Sequence, residues 1–273
     1  MTNKPSWQAN AVVTGAGSGI GRAFATELAR RNGKVICSDI DLDSAKETVQ
    51  HIRNQGGHAL AVRADVSSLS DVEVLATQAE DWFSAPVSLV VNNAGVAAGG
   101  QSIGGIPIED WQWTIDINMW GVIHGCHVFA PKLREHGRGG IINVCSTASF
   151  ASAPLMGPYN VSKAAVLALS ETLAAEMRGT NITVTALCPT FVKTNITKGG
   201  GITDESASLA DKVMSAIGTS PKKIVIKTLN DLDKGKLYTI PQLDAQIIWR
   251  AKRILPSLYV HGVGLLNHLA TKH

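Results

Sequence analysis

The sequence predicts an α/β fold built on a doubly wound parallel sheet, as a single domain with a helical lobe toward its C-terminal end. Three observations predict it. Short Val/Ile-rich runs recur without apolar–polar alternation, which suits strands buried on both faces. Amphipathic stretches of helix length separate these runs. A glycine-rich turn joins the first run to the first such stretch. Alternation of this kind implies right-handed crossovers between parallel strands.

Taken in order, strands are predicted at Ala11–Thr14, Lys34–Ser38, Ala59–Arg63, Val87–Asn92, Ile141–Ser146 and Ile182–Cys188. Helices are predicted at Ile20–Arg31, Asp43–Gln55, Leu69–Phe83, Ile108–Phe129 and Tyr159–Arg178. Gly33, Gly56 and Gly179 fall just past helix ends, where a positive φ is favoured. Asp41 starts or caps the second helix. Beyond Pro189 the character changes. The stretch 197–208 is rich in Gly, Thr and Ser, and helices without strong strands follow. That change reads as a lobe over 196–273 rather than a second domain.

At 273 residues the chain is long enough for a large core, and its net charge of +3 is too mild to argue for nucleic acid. Cys37, Cys126, Cys145 and Cys188 lie in or beside apolar runs, as reduced core thiols of a cytoplasmic protein do. The first residues lack the apolar segment of a secretory signal, and no run reaches the ~18 apolar residues of a membrane span. His124, Cys126 and His127 read as a mixed helix face, since no carboxylate completes a metal-ligand pattern and no metal is expected. Trp111, Trp113 and Trp120 read as packing or subunit-interface residues.

Tyr159 and Lys163 stand four apart at the start of a helical run and so share one face. An ammonium one turn away favours the phenolate and makes Tyr159 a workable acid/base, although this spacing alone also arises by chance. The turn Thr14-Gly15-Ala16-Gly17-Ser18-Gly19-Ile20-Gly21 lets backbone approach a diphosphate at a helix N-terminus. It is not a P-loop, because Arg22-Ala23 stands where Lys-Ser/Thr would be. Asp39 ends the second strand, where an acid bonds the adenosine ribose hydroxyls and repels a 2′-phosphate, so NAD is expected over NADP. Arg22 argues the other way only weakly, since its helix already faces the phosphate. Methyltransferases share this glycine–acid arrangement, so the region alone establishes an adenosine-containing ligand. Ser146 follows a strand at its carboxyl end, where open α/β sheets place ligands.

Over residues 9 to about 195 the chain resembles the classical short-chain dehydrogenase/reductase family. The matching segments are 14–21, Asp65-Val66, Asn92-Asn93-Ala94-Gly95, Asn118, Ser146, Tyr159 with Lys163, and Pro189 to Thr194. The resemblance implies one Rossmann-like domain in which Asn118, Ser146, Tyr159 and Lys163 move a hydride between NAD and a secondary alcohol or ketone. In these roles Ser146 bonds the substrate oxygen and Tyr159 exchanges its proton. Lys163 tunes Tyr159 and bonds the nicotinamide ribose, and Asn118 holds a water relay. The resemblance further assigns Gly15, Ser18, Gly19, Ile20, Gly21 and Asp39 to the cofactor. Asp65 and Val66 would flank the adenine, Asn92, Ala94 and Gly95 would support sheet and ribose, and Pro189, Val192 and Thr194 would close on the nicotinamide. Thr190 departs from the family's usual glycine after that proline. The family's helices at 108–129 and after Tyr159 commonly pair across a two-fold axis, which implies a homodimer or homotetramer.

The C-terminal segment has no family Asp-Gly-Gly strand. It carries Lys236–Pro241, then Trp249–Leu255 with three basic residues, then an apolar tail from Leu258 to Leu269. Packing over the substrate cleft or at a subunit interface is the leading reading, with peripheral membrane contact and flexible disorder as the alternatives. The first two favour a hydrophobic substrate. Competing with NAD-dependent dehydrogenation are an NADP-dependent carbonyl reductase, an adenosine-cofactor transferase and a non-catalytic dinucleotide-binding regulator.

Overall fold

The computed structural model describes residues 4–194, 196 and 201–270. Its strands are β1 Asn10–Thr14, β2 Lys34–Asp39, β3 His58–Arg63, β4 Leu89–Asn92, β5 Arg138–Val144, β6 Asn181–Leu187 and β7 Tyr238–Thr239. All pair parallel, in the order β3-β2-β1-β4-β5-β6-β7. The helices are α1 Gly19–Arg30, α2 Leu42–Asn54, α3 Leu69–Phe83, α4 Ile108–Ile115, α5 Gly121–His136, α6 Ala148–Ala151, α7 Gly157–Glu176, α8 Asp204–Ile217, α9 Pro221–Leu232, α10 Leu243–Ile254 and α11 Pro256–Ala270.

Adjacent residues of one strand explain the double winding. Val12 packs in a cluster with Val72 and Leu75 of α3, whereas Val13 packs with Phe24 and Leu28 of α1 and Val225 and Leu229 of α9. Both faces are therefore covered, and the strands read as continuous apolar runs for that reason. Further along the sheet, Ile141 of β5 and Val184 of β6 meet Cys126 and Leu133 of α5 and Val166 of α7. The chain winds outward from β1 to β3, then returns to place β4 on the other side of β1. Such a reversal opens a crevice at the carboxyl ends of the strands.

The first six strands and the first three helices lie within two residues of their predicted bounds, except that β5 starts three residues early at Arg138, and α3 matches Leu69–Phe83. Asp41 does cap α2, its Oδ1 accepting from the N–H groups of Asp43 (3.1 Å) and Ser44 (3.2 Å). The expected helix over 108–129 is corrected. It is α4, a π-helical turn over Asp116–Trp120, and α5, which runs on to His136. Pro131 does not end α5, because the buried residues Cys126, Phe129, Ala130 and Leu133 pack on either side of it. Gly33 has no positive φ. Asn32 before it takes that conformation (φ 62°), and Gly33 is instead crowded, with room for a Cβ only 2.8 Å from the Ala9 carbonyl. The segment Lys236–Pro241 supplies β7, a strand not expected after Pro189, by pairing Tyr238 and Thr239 with Ala186 and Leu187. The Gly/Thr/Ser-rich stretch at 197–208 lies partly outside the described residues.

Candidate active site

Strand β1 delivers the glycine turn to the crevice, and the loop after β4 holds it there. Thr14 Oγ1 accepts from the N–H groups of Asn93 (3.0 Å) and Ala94 (3.1 Å), and Asn93 Nδ2 donates to the Thr14 carbonyl (2.9 Å). Gly15 has φ 62°, and a Cβ there would stand 2.8 Å from Ala94 Cα. Only glycine fits both demands. Ser18 precedes α1 in extended conformation without capping it, and the first turn of α1 carries no acid. Its hydroxyl and the first N–H groups of α1 thus form an anion cradle. Gly17 N–H donates to Asp39 Oδ2 (2.8 Å) and Asp41 N–H to Asp39 Oδ1 (3.1 Å), which fixes the carboxylate at the end of β2. Arg22 turns away. Its guanidinium donates to Thr48 Oγ1 (2.9 Å), to the Gly17 carbonyl and to Glu47 (3.1 Å).

The catalytic candidates converge at the ends of β4, β5 and α7. Ser146 follows β5, and its backbone is held by Ser149, whose Oγ accepts from Ser146 N–H (3.3 Å) and donates to the Lys163 carbonyl (2.8 Å). Ser146 and Tyr159 line the same cleft, and the Ser146 side chain favours the charged form of the phenol. Lys163 Nζ donates to the Val144 carbonyl (2.8 Å) and lies 5.9 Å from the centroid of the Tyr159 ring. Burial pushes Lys163 down to about 8, so about nine in ten copies are ammonium at pH 7. Burial also pushes the Tyr159 phenol up, with the Ser146 side chain opposing it. The expected lowering of Tyr159 by its lysine is therefore outweighed by loss of solvent in this chain.

Asn118 is fully buried in the π-helical turn, whose last bond runs from Gly121 N–H to the Asp116 carbonyl. Wide turns of this kind recur at functional sites. Its Oδ1 accepts from Val96 N–H (2.8 Å), and its Nδ2 donates to the Val96 carbonyl (2.9 Å) and to Ser162 Oγ (3.2 Å). Both amide hydrogens are committed to joining the β4 loop to α7. A water relay here is left one Oδ1 lone pair and the backbone.

A cleft of about 700 Å³ collects most of the expected residues. Gly15, Ser18, Gly19, Ile20, Asp39, Asp65 and Val66 line one end, and Ala94, Gly95, Ser146, Tyr159, Lys163, Pro189, Val192 and Thr194 line the rest. Asn118, Gly21 and Asn92 do not line it. Gly21 packs beneath the turn, where a Cβ would come within 2.0 Å of the Gly15 carbonyl. Asn92 is in the core, donating to Asn143 Oδ1 (2.8 Å). Thr190 needs no glycine conformation, since its φ is not positive. Its N–H instead donates to Gln242 Oε1 (3.2 Å) and its hydroxyl to Asp244 Oδ1 (3.3 Å), while Gln242 Nε2 donates to the Phe191 carbonyl (3.2 Å). These bonds fasten α10 over the cleft, where Asp244 and Ile248 join the wall. His124 supports the Val66 end of the cleft, with Nδ1 2.9 Å from the Val66 carbonyl.

The profile of the short chain dehydrogenase family matches residues 9–204. The 1-deoxy-11-beta-hydroxypentalenate dehydrogenase of Streptomyces exfoliatus is 35% identical over 219 residues, covering 77% of this chain and 79% of that protein. A crystal structure of a short chain dehydrogenase/reductase from Burkholderia phymatum in complex with NAD has a TM-score of 0.87 at 32% identity, covering 94% of this chain and 96% of that one. A chain from Beutenbergia cavernae assigned as an NAD(P)-dependent gluconate 5-dehydrogenase, with NADP at low occupancy, has a TM-score of 0.75 at 29% identity, covering 86% and 96%. The chain spans 43% of the length of mycobacterial oxidoreductases that match 89% of it at 34% identity. Among the described residues no helix is long and apolar enough to cross a membrane.

Proposed function

The chain belongs to the short-chain dehydrogenase family, and from that membership we propose that it transfers a hydride between NAD and a hydrophobic secondary alcohol or the matching ketone. The observation that carries this reading is the half-buried Tyr159 phenol lining one cleft with Ser146, with the buried Lys163 ammonium 5.9 Å from its ring. The coenzyme, when bound, supplies the hydride acceptor or donor. The glycine turn and the start of α1 bind its diphosphate through backbone N–H groups, and Asp39 takes the adenosine ribose hydroxyls. Asp39, with Arg22 tied to Glu47, supports NAD over NADP. In reduction the Ser146 hydroxyl donates toward the substrate oxygen as charge builds on it, and Tyr159 delivers the proton. In oxidation Tyr159 takes that proton back. The Lys163 ammonium stabilises the phenolate at that moment and meets the nicotinamide ribose. Asn118 holds the β4 loop against α7.

Apolar side chains at the substrate end, among them Met156, Phe191, Ile202, Met214 and Ile248, support a hydrophobic substrate. We further assign the chain to the cytoplasm as a homodimer or homotetramer. Reduced nicotinamide absorbance, followed with NAD or NADP and a panel of hydrophobic secondary alcohols, tests the whole reading. Turnover with NAD is expected, and Tyr159→Phe should lower kcat by about 10²–10⁴. Coenzyme binding without turnover on any alcohol or ketone would point to the regulator instead. Asp39→Ala should bring NADP and NAD within about tenfold of one another, and a wild type that prefers NADP removes the Asp39 argument.

A further inference from the structure

The C-terminal hairpin leaves a large apolar surface uncovered. Nine large apolar side chains between Leu243 and Leu269 are 51–74% exposed. Together they present on the order of 1,000 Å² per chain, roughly 500 Å² of it on Leu258, Leu265, Leu266 and Leu269, more than a scatter of surface leucines and of the size that marks an interaction site. On α11 the inward face is Tyr259, Val263 and Asn267, spaced by four. The outward face repeats at a different spacing: Leu258, Gly262, Leu265 and Leu269, four, three and four apart, with Leu266 alongside. That spacing is the apolar seam by which one helix packs along another.

We propose that α11 pairs antiparallel with α11 of a second copy of this chain, about a two-fold axis between Gly262 and Leu265. A Cβ added at Gly262 would meet nothing within 4 Å, so the seam contains an open notch. In the antiparallel register Leu265 of each copy fills the notch of the other, and Leu258 meets Leu269. A parallel register would set notch against notch and leave a void. Covering Leu258, Leu265, Leu266 and Leu269 in both copies buries about 1,000 Å², which reaches the size a specific interface needs. Between Pro256 and Ala270 there is no Asp, Glu, Lys or Arg. Interface cores are depleted of charge in this way, whereas a helix lying on a membrane carries Lys and Arg along its polar face. The pairing specifies one contact of the homo-oligomer proposed above and does not depend on the hydride chemistry.

The test uses the full chain. All four native cysteines are buried and free, so single-cysteine variants on α11 report cleanly under air with copper–phenanthroline. Leu258→Cys mixed with Leu269→Cys should give disulfide-linked dimers, while neither alone should. Identical positions then stand ~16 Å apart along the seam, beyond disulfide reach. Leu265→Glu, at a 61% exposed position, should halve the mass seen by analytical ultracentrifugation, with the circular dichroism spectrum and coenzyme binding unchanged. Self-linking of each variant alone, or an unchanged mass for Leu265→Glu, overturns the proposal. So does wild-type sedimentation with phosphatidylglycerol vesicles that Leu265→Glu abolishes without altering mass. Loss of dehydrogenase activity with the cross-linking pattern intact would refute the hydride chemistry alone.

Discussion

Lys163 concentrates the conflict between stability and chemistry in one residue. Its folded pKa of about 8 lies below the ordinary 10.5. Between these values the unfolded chain holds the extra proton, so this group makes stability rise with pH across that window, and its full cost is felt below pH 8. Tyr159, pushed up by burial, acts in the opposite sense only above its ordinary value of 10. Lys163→Met should therefore stabilise the protein at pH 7. The relief is about 3 kcal/mol, less about 1 for the Val144 carbonyl that loses its donor. A melt should show a gain of roughly 4 °C that shrinks toward pH 10, together with collapse of turnover. A melting temperature lower at pH 7 would mean the ammonium is stabilising after all. In the wild type, alcohol oxidation should climb with pH on the alkaline side, since oxidation needs the phenolate of Tyr159 and burial holds that phenol up.

At the scale of elements, the turn between β1 and α1 is a packed joint as well as a binding loop. Gly21 touches no part of the cleft, yet its missing Cβ makes room for the Gly15 carbonyl. Gly21→Ala should cost about 1–3 kcal/mol by overpacking and also weaken coenzyme binding, measurable by melts and by quenching titrations. Coenzyme affinity left intact would show that the turn relaxes independently of α1. This joint was legible from sequence, because glycines between an apolar run and a helix have few other uses. So was the place of Ser146, Tyr159 and Lys163 on the cleft, since a strand end and a four-residue helix spacing survive any small error in boundaries. The π-helical turn at Asn118 was not, since one extra residue in a helix leaves the apolar periodicity almost unchanged. Nor was β7, because Tyr238 and Thr239 become a strand only by lying against Ala186 and Leu187. Ser149 and the Gln242–Asp244 pair were equally hidden. They matter through partners 14 and 51–54 positions away, and no local pattern announces such contacts.

For the whole molecule, the end of α1 opposite the one that lines the cleft is tied by a buried ionic cluster. Arg31, 3% exposed, bonds Glu27 (3.1 Å), Ser6 (2.6 Å), Asn230 (2.8 Å) and Asp233 (3.3 Å), joining the N-terminal residues, α1 and the end of α9. Removing one member of a buried ionic cluster strands the rest, so Arg31→Leu should cost about 3–5 kcal/mol in denaturant unfolding. The Michaelis constant for coenzyme should not move; if it does, the two regions are coupled through α1. The bonds from Thr190 and Phe191 to Gln242 and Asp244 make a different kind of tie. They join the strap after β6, along the side of the cleft, to α10, which roofs it. Roof and strap are consequently one inherited module. A hairpin grafted from a relative to change what the enzyme accepts would have to bring its own partners for Thr190, or new selectivity would arrive with a loosened coenzyme.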